Sequence, residues 1–307
     1  MPASSEPRVL DKAPATLPMM LRAALPAVPV LNQVPGVRRT GSELPDLVLT
    51  RHDVAVDRSR VAAYAEVCGF PLTEALPVTY PHMLAFPLHM AIMTDRSFPF
   101  PAIGTVHLEN ALTQHRPISP DERLQVTARP ADLRPHPKGR VFDIVVDVHS
   151  AGELVWESRS TLLRLGGGDR EAEAPGQDPG QDPGQDPGRT FEEVPPGGVE
   201  WRLPGDLGRR YAAVSGDHNP IHLYGLTAKA FGFPRQIAHG MWSKARCLAA
   251  LQGRLPEAVT VEVAFKKPIL LPGTVAFGST QVGDGYAFSL SDPRTGAPHL
   301  LGRAGPR

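Results

Sequence analysis

The chain has 307 residues, 32 Lys and Arg against 32 Asp and Glu, and 41% hydrophobic residues. That length is enough for two domains with cores of their own, and the charge balance leaves no basic footprint for nucleic acid. No apolar run approaches the roughly 18 residues of a membrane-spanning helix, and two cysteines, Cys68 and Cys247, neither frame a disulfide scaffold nor have metal-ligand spacing, which points to a reducing cytoplasm.

In chain order, residues 1–44 read as an N-terminal extension. Its most apolar part, Leu17–Leu31, carries Arg22, Pro26 and Pro29, and Glu6 and Asp11 stand where a secretory leader would be basic. It reads as a soluble segment with a short helix at Leu17–Leu25. Residues 45–165 open with a helical pattern at Arg58–Cys68, followed by a long apolar helix at Pro81–Asp95. Strand-like runs come next at Gly104–Leu112, Arg123–Ala131, Val141–Val148 and Leu154–Leu165, with turn residues at Ser150–Gly152.

Residues 166–190 contain Gly166–Gly168, an acidic stretch and tandem Gln-Asp-Pro-Gly units starting at Gln177, Gln181 and Gln185. With nothing apolar to bury, this composition makes a solvated linker. Residues 191–307 then repeat the first pattern: a helix at Leu207–Gly216, a second at His239–Leu251, and strands at Val259–Phe265, Thr274–Val282, Tyr286–Leu290 and His299–Arg303. Arg116-Pro-Ile in one half answers Lys267-Pro-Ile in the other, and matching features lie 144 to 155 residues apart. Short alternating strands with one buried helix per half predict an α+β fold: an antiparallel sheet wrapped around a helix, used twice.

The richest stretch runs from Tyr211 through Ser215, Gly216, Asp217, His218, Asn219, Pro220 and Ile221 to His222. Pro220 disfavours helix at Asn219 and imposes an extended or turn path, so that Asp217 and His222 can converge on one ligand. A carboxylate beside an imidazole holds water and moves protons near neutral pH. Further on, His239-Gly240-Met241 opens the second long helix. A glycine there offers an unhindered N–H with the positive dipole end behind it, as a developing enolate oxygen requires.

Residues 211–228 match, position by position, the hydratase-2 signature: an aromatic, a spacer, an aliphatic, then Ser-Gly-Asp-x-Asn-Pro-aliphatic-His. The chain thus resembles MaoC-like (R)-specific enoyl-CoA hydratases, and over residues 45–165 and 190–305 it resembles two-hot-dog 3-hydroxyacyl-thioester dehydratases. Tyr80–Met90, Ala102–His107 and Phe231–Pro234 contribute to that likeness. The resemblance implies a double hot-dog fold and interconversion of trans-2-enoyl and (3R)-3-hydroxyacyl thioesters of CoA or acyl carrier protein. It implies Asp217 and His222 as the acid–base pair and Gly240 as the oxyanion donor, with His239 and Met241 beside it. Ser215, Gly216, Asn219 and Pro220 support the motif. No metal or organic cofactor is called for, because the thioester itself acidifies the C2 proton.

The first half departs from the pattern. Phe70 stands where Asp217 would, and no Asn-Pro-aliphatic-His run follows. That half is expected to supply an acyl-binding wall from Met83, Leu84, Phe86, Leu88, Met90, Ile92 and Met93. Leu223-Tyr224-Gly225 replaces an acidic residue common after the histidine, and Leu248 a hydroxyl residue of some members. His239 reads as a loop hydrogen-bonder, His218 as exposed, Tyr64 and Tyr211 as core, and His82, His89 and His107 as pocket or packing residues. The competing readings are a hot-dog thioesterase and a non-catalytic acyl-CoA sensor. No nucleic-acid or membrane partner is expected, and a homodimer is.

Overall fold

The computed structural model describes residues 6–16, 18, 19, 41–102, 104–166, 191, 194 and 197–307. The linker at 167–190 and most of the helix expected at Leu17–Leu25 lie outside the described residues. The first half contains β1 (Arg8–Val9), β2 (Leu49–Val54), α1 (Arg58–Cys68), α2 (Pro81–Thr94), β3 (Thr105–Gln114), β4 (Leu124–His136), β5 (Gly139–Ser150) and β6 (Glu153–Leu165). The second contains β7 (Val199–Leu203), α3 (Leu207–Ser215), α4 (Pro220–Leu223), α5 (Gly225–Ala230), α6 (Gly240–Ala250), β8 (Val259–Phe265), β9 (Gly273–Val282), β10 (Gly285–Ser291) and β11 (Pro298–Pro306). None of the described helices is long and apolar enough to cross a membrane.

A single 11-stranded sheet takes in both halves, in the order β1-β2-β4-β5-β6-β3-β8-β11-β10-β9-β7. Apart from β1, which pairs in parallel with β2, every neighbour is antiparallel. The order mirrors about its middle: β2-β4-β5-β6-β3 answers β7-β9-β10-β11-β8. All eight expected strands are present. β4 runs past its expected end at Ala131 to His136, through a register shift that includes Asp132 at φ 53°. That bulge breaks the two-residue alternation from which a strand is read.

The strands β1, β2 and β7, at the two ends of the sheet, were not expected. β2 holds Arg51, His52 and Asp53, with a second bulge at Asp53 (φ 54°), and neither it nor β7 alternates cleanly between buried and exposed. Charges and bulges of this kind blunt a sheet edge against further pairing, and they also hide it from a hydrophobic pattern.

The repeat extends to helix ends. α1 starts on Asp57, whose side chain accepts from Ser59 N at 2.8 Å. It stops at Gly69 (φ 79°), and α3 stops at Gly216 (φ 76°); each glycine N–H returns to the carbonyl four residues earlier. The next residue is Phe70 in one half and Asp217 in the other. The backbone turn was retained while the side chain changed.

α2 begins with Pro81, tolerated where no amide partner exists, and carries Pro87 inside, where one helical hydrogen bond is lost. It packs on β4 and β5, whereas α6 packs on β10 and α1. Between the halves, α1 lies against α3 with the buried rings of Tyr64 and Tyr211 centred 6.3 Å apart. Tyr211 Oη reaches Met83 Sδ at 3.8 Å, and Trp242 Nε1 donates to Val67 O at 3.0 Å.

The central seam is the antiparallel pair β3–β8, from Glu109↔Ala264 to Gln114↔Val259. Lys244 of α6 is fully buried over it. Its ammonium donates to Asn110 Oδ1 at 2.6 Å, Asn110 O at 3.2 Å and Val261 O at 3.3 Å, acceptors drawn from both halves. Asn110 Nδ2 in turn donates to Ser160 Oγ at 3.0 Å. Lys244→Met keeps the aliphatic bulk but strips these acceptors of their donor, which costs about 1–3 kcal/mol for a buried group. A lowered urea midpoint at unchanged slope is the expected result; an unchanged midpoint would contradict it.

Candidate active site

One cavity of about 420 Å³ opens where the halves meet. Asp217, His222, His239, Gly240 and Met241 line it, as do Ser215 and Asn219. Gly216 and Pro220 do not, and they act on the backbone instead. Gly216 turns the chain out of α3, and Pro220 opens α4 as its first residue. Asn219 is extended (φ −57°, ψ 124°), as a residue before proline should be, but the path after it closes into the single turn of α4.

The loop between α3 and α4 is held by its own side chains. Ser215 Oγ accepts from Asp217 N at 3.1 Å, Asp217 Oδ1 from Asn219 N at 3.1 Å, and Asn219 Oδ1 from Ile221 N at 3.4 Å. His218 is half-buried rather than exposed, because Nδ1 donates to Gly216 O at 3.0 Å. α3 then grips α4 directly. Arg209 Nη1 donates to Leu223 O at 2.9 Å, and a Cβ on Gly208 would lie 1.9 Å from His222 O. Only glycine permits that approach. Sequence reasoning missed Gly208, whose one signal is a glycine inside a helical pattern.

His222 is buried, and its Nδ1 donates to Ile237 O at 2.9 Å. A carbonyl only accepts, so Nδ1 carries the hydrogen and the neutral ring offers a bare Nε2. His239 stacks on it with ring centres 3.7 Å apart and 27° between planes. The Nε2 of His239 donates to Asp217 O at 3.0 Å and lies 3.8 Å from Asp217 Oδ2. One ligating atom from each of Asp217, His222 and His239 falls within 4.8 Å of the others. Stacked rings direct their in-plane lone pairs along near-parallel planes, however, and so are poorly disposed to share one ion. The arrangement suits proton transfer.

His239 precedes α6, so the Gly240 N–H sits at the first helical position, where no intrahelical acceptor exists. A Cβ there would press on the Phe265 ring at 3.1 Å. Beyond this polar end the wall is soft and apolar. Of the seven residues expected to form it, Met83, Phe86, Met90 and Met93 line the cavity; Leu84, Leu88 and Ile92 do not. The first four follow helical spacing along one face, while Leu88 and Ile92 are wholly buried in the core. Tyr211 packs on His239 at 4.9 Å and also lines the cavity. Lys266, Lys267 and His299 line it as well, and the sequence had marked Lys267 only as a repeat partner.

A family model described as MaoC like domain matches residues 176–297. The chain is also 38% identical over 292 residues to 3-hydroxyacyl-thioester dehydratase X of Mycobacterium tuberculosis, covering 94% of this chain and 96% of that protein. The chain belongs to the MaoC-like dehydratase family. The crystal structure of HtdX from M. tuberculosis matches this MaoC-like chain with a TM-score of 0.73 at 35% identity, over 85% of this chain and 100% of the other. A MaoC-like dehydratase from Phytophthora capsici shares the fold at 18% identity and a TM-score of 0.65, over 85% and 95% of the two chains. The architecture is the α+β double hot dog that the signature implied.

Burial holds the cavity histidines of this MaoC-like protein neutral. The His222 pKa is lowered by burial, partly offset by Asp217 and the Ile237 carbonyl, and His239 is pushed well below its ordinary value by burial and by His222. His82 is likewise pushed well down, His89 to about 4 and His107 to about 3, burial being the main cause in each. The unfolded chain takes up protons near pH 6.5 and the folded chain does not. Their stabilising contribution is therefore complete above pH 6.5 and is lost as pH falls towards the folded values, by up to about 1.4 kcal/mol per ring per pH unit. Urea midpoints should drop steeply between pH 7 and pH 5. A flat profile would mean that the folded rings take up protons as readily as those of the unfolded chain.

Proposed function

We propose that this protein carries out (R)-specific hydration of trans-2-enoyl thioesters and the reverse dehydration of (3R)-3-hydroxyacyl thioesters, in fatty-acid metabolism. The observation that carries the proposal is the lone pair on His222 Nε2, fixed by the Ile237 carbonyl and set beside Asp217 at the polar end of an apolar cavity. The similarity to a protein named as a 3-hydroxyacyl-thioester dehydratase supports it.

In the hydration direction, water sits between Asp217 and His222. As its oxygen bonds to C3, His222 Nε2 accepts one of its protons, and the C2–C3 π electrons move towards the thioester oxygen. There the Gly240 N–H and the positive end of α6 meet the developing charge. The imidazolium passes that proton to Asp217, which delivers it to C2 on the same face. Both groups then stand as they began, and the pair is restored. Met241, and the Met83, Phe86, Met90 and Met93 face of α2, hold the acyl chain, so residues 45–165 act as the binding half and 191–307 as the catalytic half. The free, buried Cys68 and Cys247 fit a cytoplasmic enzyme, and a dimer of such chains is the expected assembly.

The direct assay follows the enoyl-thioester absorbance of crotonyl-CoA and a C8–C12 trans-2-enoyl-CoA, with chiral analysis of the product. Loss of the band with a (3R)-hydroxyacyl product is expected; release of free thiol with the band intact would make the protein a thioesterase. Asp217→Asn and His222→Gln should each cut turnover at least about 100-fold with the chain folded, and wild-type rates in either would refute the assignment. Because His222 works as the neutral base, hydration kcat/KM should be level above pH 6.5 and decline only below it. Gly208→Ala, remote from the substrate, should also lower kcat, by on the order of 100-fold, since α4 must move by about 1 Å to admit the methyl group.

A further inference from the structure

The cavity wall facing the first half is not uniformly apolar. His82 and His89 of α2 line it together with His107 of β3, among the methionines. The His82 and His89 rings meet edge to face at 5.1 Å. His107 packs on Phe265 at 4.9 Å, the ring that also covers Gly240. This group therefore lies one aromatic ring away from the oxyanion end. No protein group meets His82 Nδ1, His89 Nε2 or His107 Nε2. Among the described residues eight buried side-chain nitrogens or oxygens lack a partner, and half of them belong to histidines that line this one cavity. Each such atom left unmet costs about 1–3 kcal/mol, so their concentration around a binding cavity calls for a ligand reason.

We propose that these three histidines recognise a hydroxyl group on the acyl chain beyond C3, making the preferred substrate a hydroxylated rather than a plain alkyl enoyl thioester. This rests on the thioester hydratase reading above and specifies its substrate. The rings are neutral at pH 7, so each offers one donor and one acceptor rather than a charge, which favours a neutral oxygen over a carboxylate. The Glu109 backbone already accepts from the other side of the His107 ring, leaving Nε2 as an acceptor. A hydroxyl can donate to it; a carbonyl cannot. Lys244 is near enough to influence His82 and His107, but its ammonium is engaged by Asn110 and Val261 and does not supply an anion site.

The test compares trans-2-octenoyl-CoA with its 5-, 6-, 7- and 8-hydroxy derivatives, by turnover, and the matching saturated octanoyl-CoA and hydroxyoctanoyl-CoA thioesters, by calorimetric binding. At least one hydroxy isomer should exceed the plain chain at least tenfold, both in kcat/KM and in affinity. In His89→Leu and His82→Leu that preference, taken as the ratio between hydroxy and plain chains within each variant so that any common loss of activity cancels, should shrink to threefold or less. Equal or better use of the plain chain by the wild-type protein would overturn the proposal, whatever the variants do. So would a hydroxy preference that survives both substitutions. The binding arm needs no turnover: hydroxy-selective binding without hydration would uphold this inference while refuting the proposed reaction, and hydration without hydroxy selectivity would do the reverse.

Discussion

Antiparallel pairing of β3 with β8 turns two half-sheets into one, and both the shape and the chemistry of the molecule depend on that seam. Sheet edges left unpaired are exposed donors and acceptors, and here the innermost edge of each half satisfies the other. Joining them also brings the halves together around the cavity, which is walled by α2 from one half and by α6 and the α3–α4 loop from the other. Lys244 reads both strands at once, with acceptors on Asn110 in β3 and Val261 in β8. A charge so deeply buried is tolerated because each of its three N–H donors has an acceptor.

At the site itself the governing constraint is desolvation. A histidine in water is half charged near pH 6.5, whereas His222 in this cavity is held neutral with a known tautomer, because burial disfavours the charge and Ile237 fixes the proton. Holding that ring in place takes two further contacts. Gly208 lets α3 close on the His222 backbone, and His239 stacks on the ring while tying down the Asp217 carbonyl. Position and protonation state are thus set by different neighbours.

Much of this was legible in the residues. The duplicated helix–strand order, the α1 boundaries, and the Asp217–His222 loop are written in local signals: alternation, caps, a proline and a glycine at fixed places. What was hidden had physical causes. β2 and β7 are short, charged strands at the two ends of the sheet, and the end of β4 is masked by a bulge at Asp132. The acyl wall was overdrawn because the apolar residues of α2 run right round the helix and give no pattern to tell its cavity face from its core face; Leu88 and Ile92 went to the core. Lys244 looked unremarkable as a single lysine in a helix of small residues, and only the seam beneath it explains its burial. Gly208 likewise acquires meaning only from what lies opposite.

The mirrored turns at Gly69 and Gly216 bear on how such an enzyme changes over evolutionary time. The same turn leads to Phe70 in one half and Asp217 in the other, so the repeated unit carries a carboxylate at this point in one copy and an apolar ring in the other. On the proposed roles, reactivity and selectivity reside on separate copies of one repeated element. Substitutions along α2 would then re-tailor which acyl chain is accepted without touching Asp217 or His222, a freedom unavailable to a symmetric dimer, in which every change would be made twice.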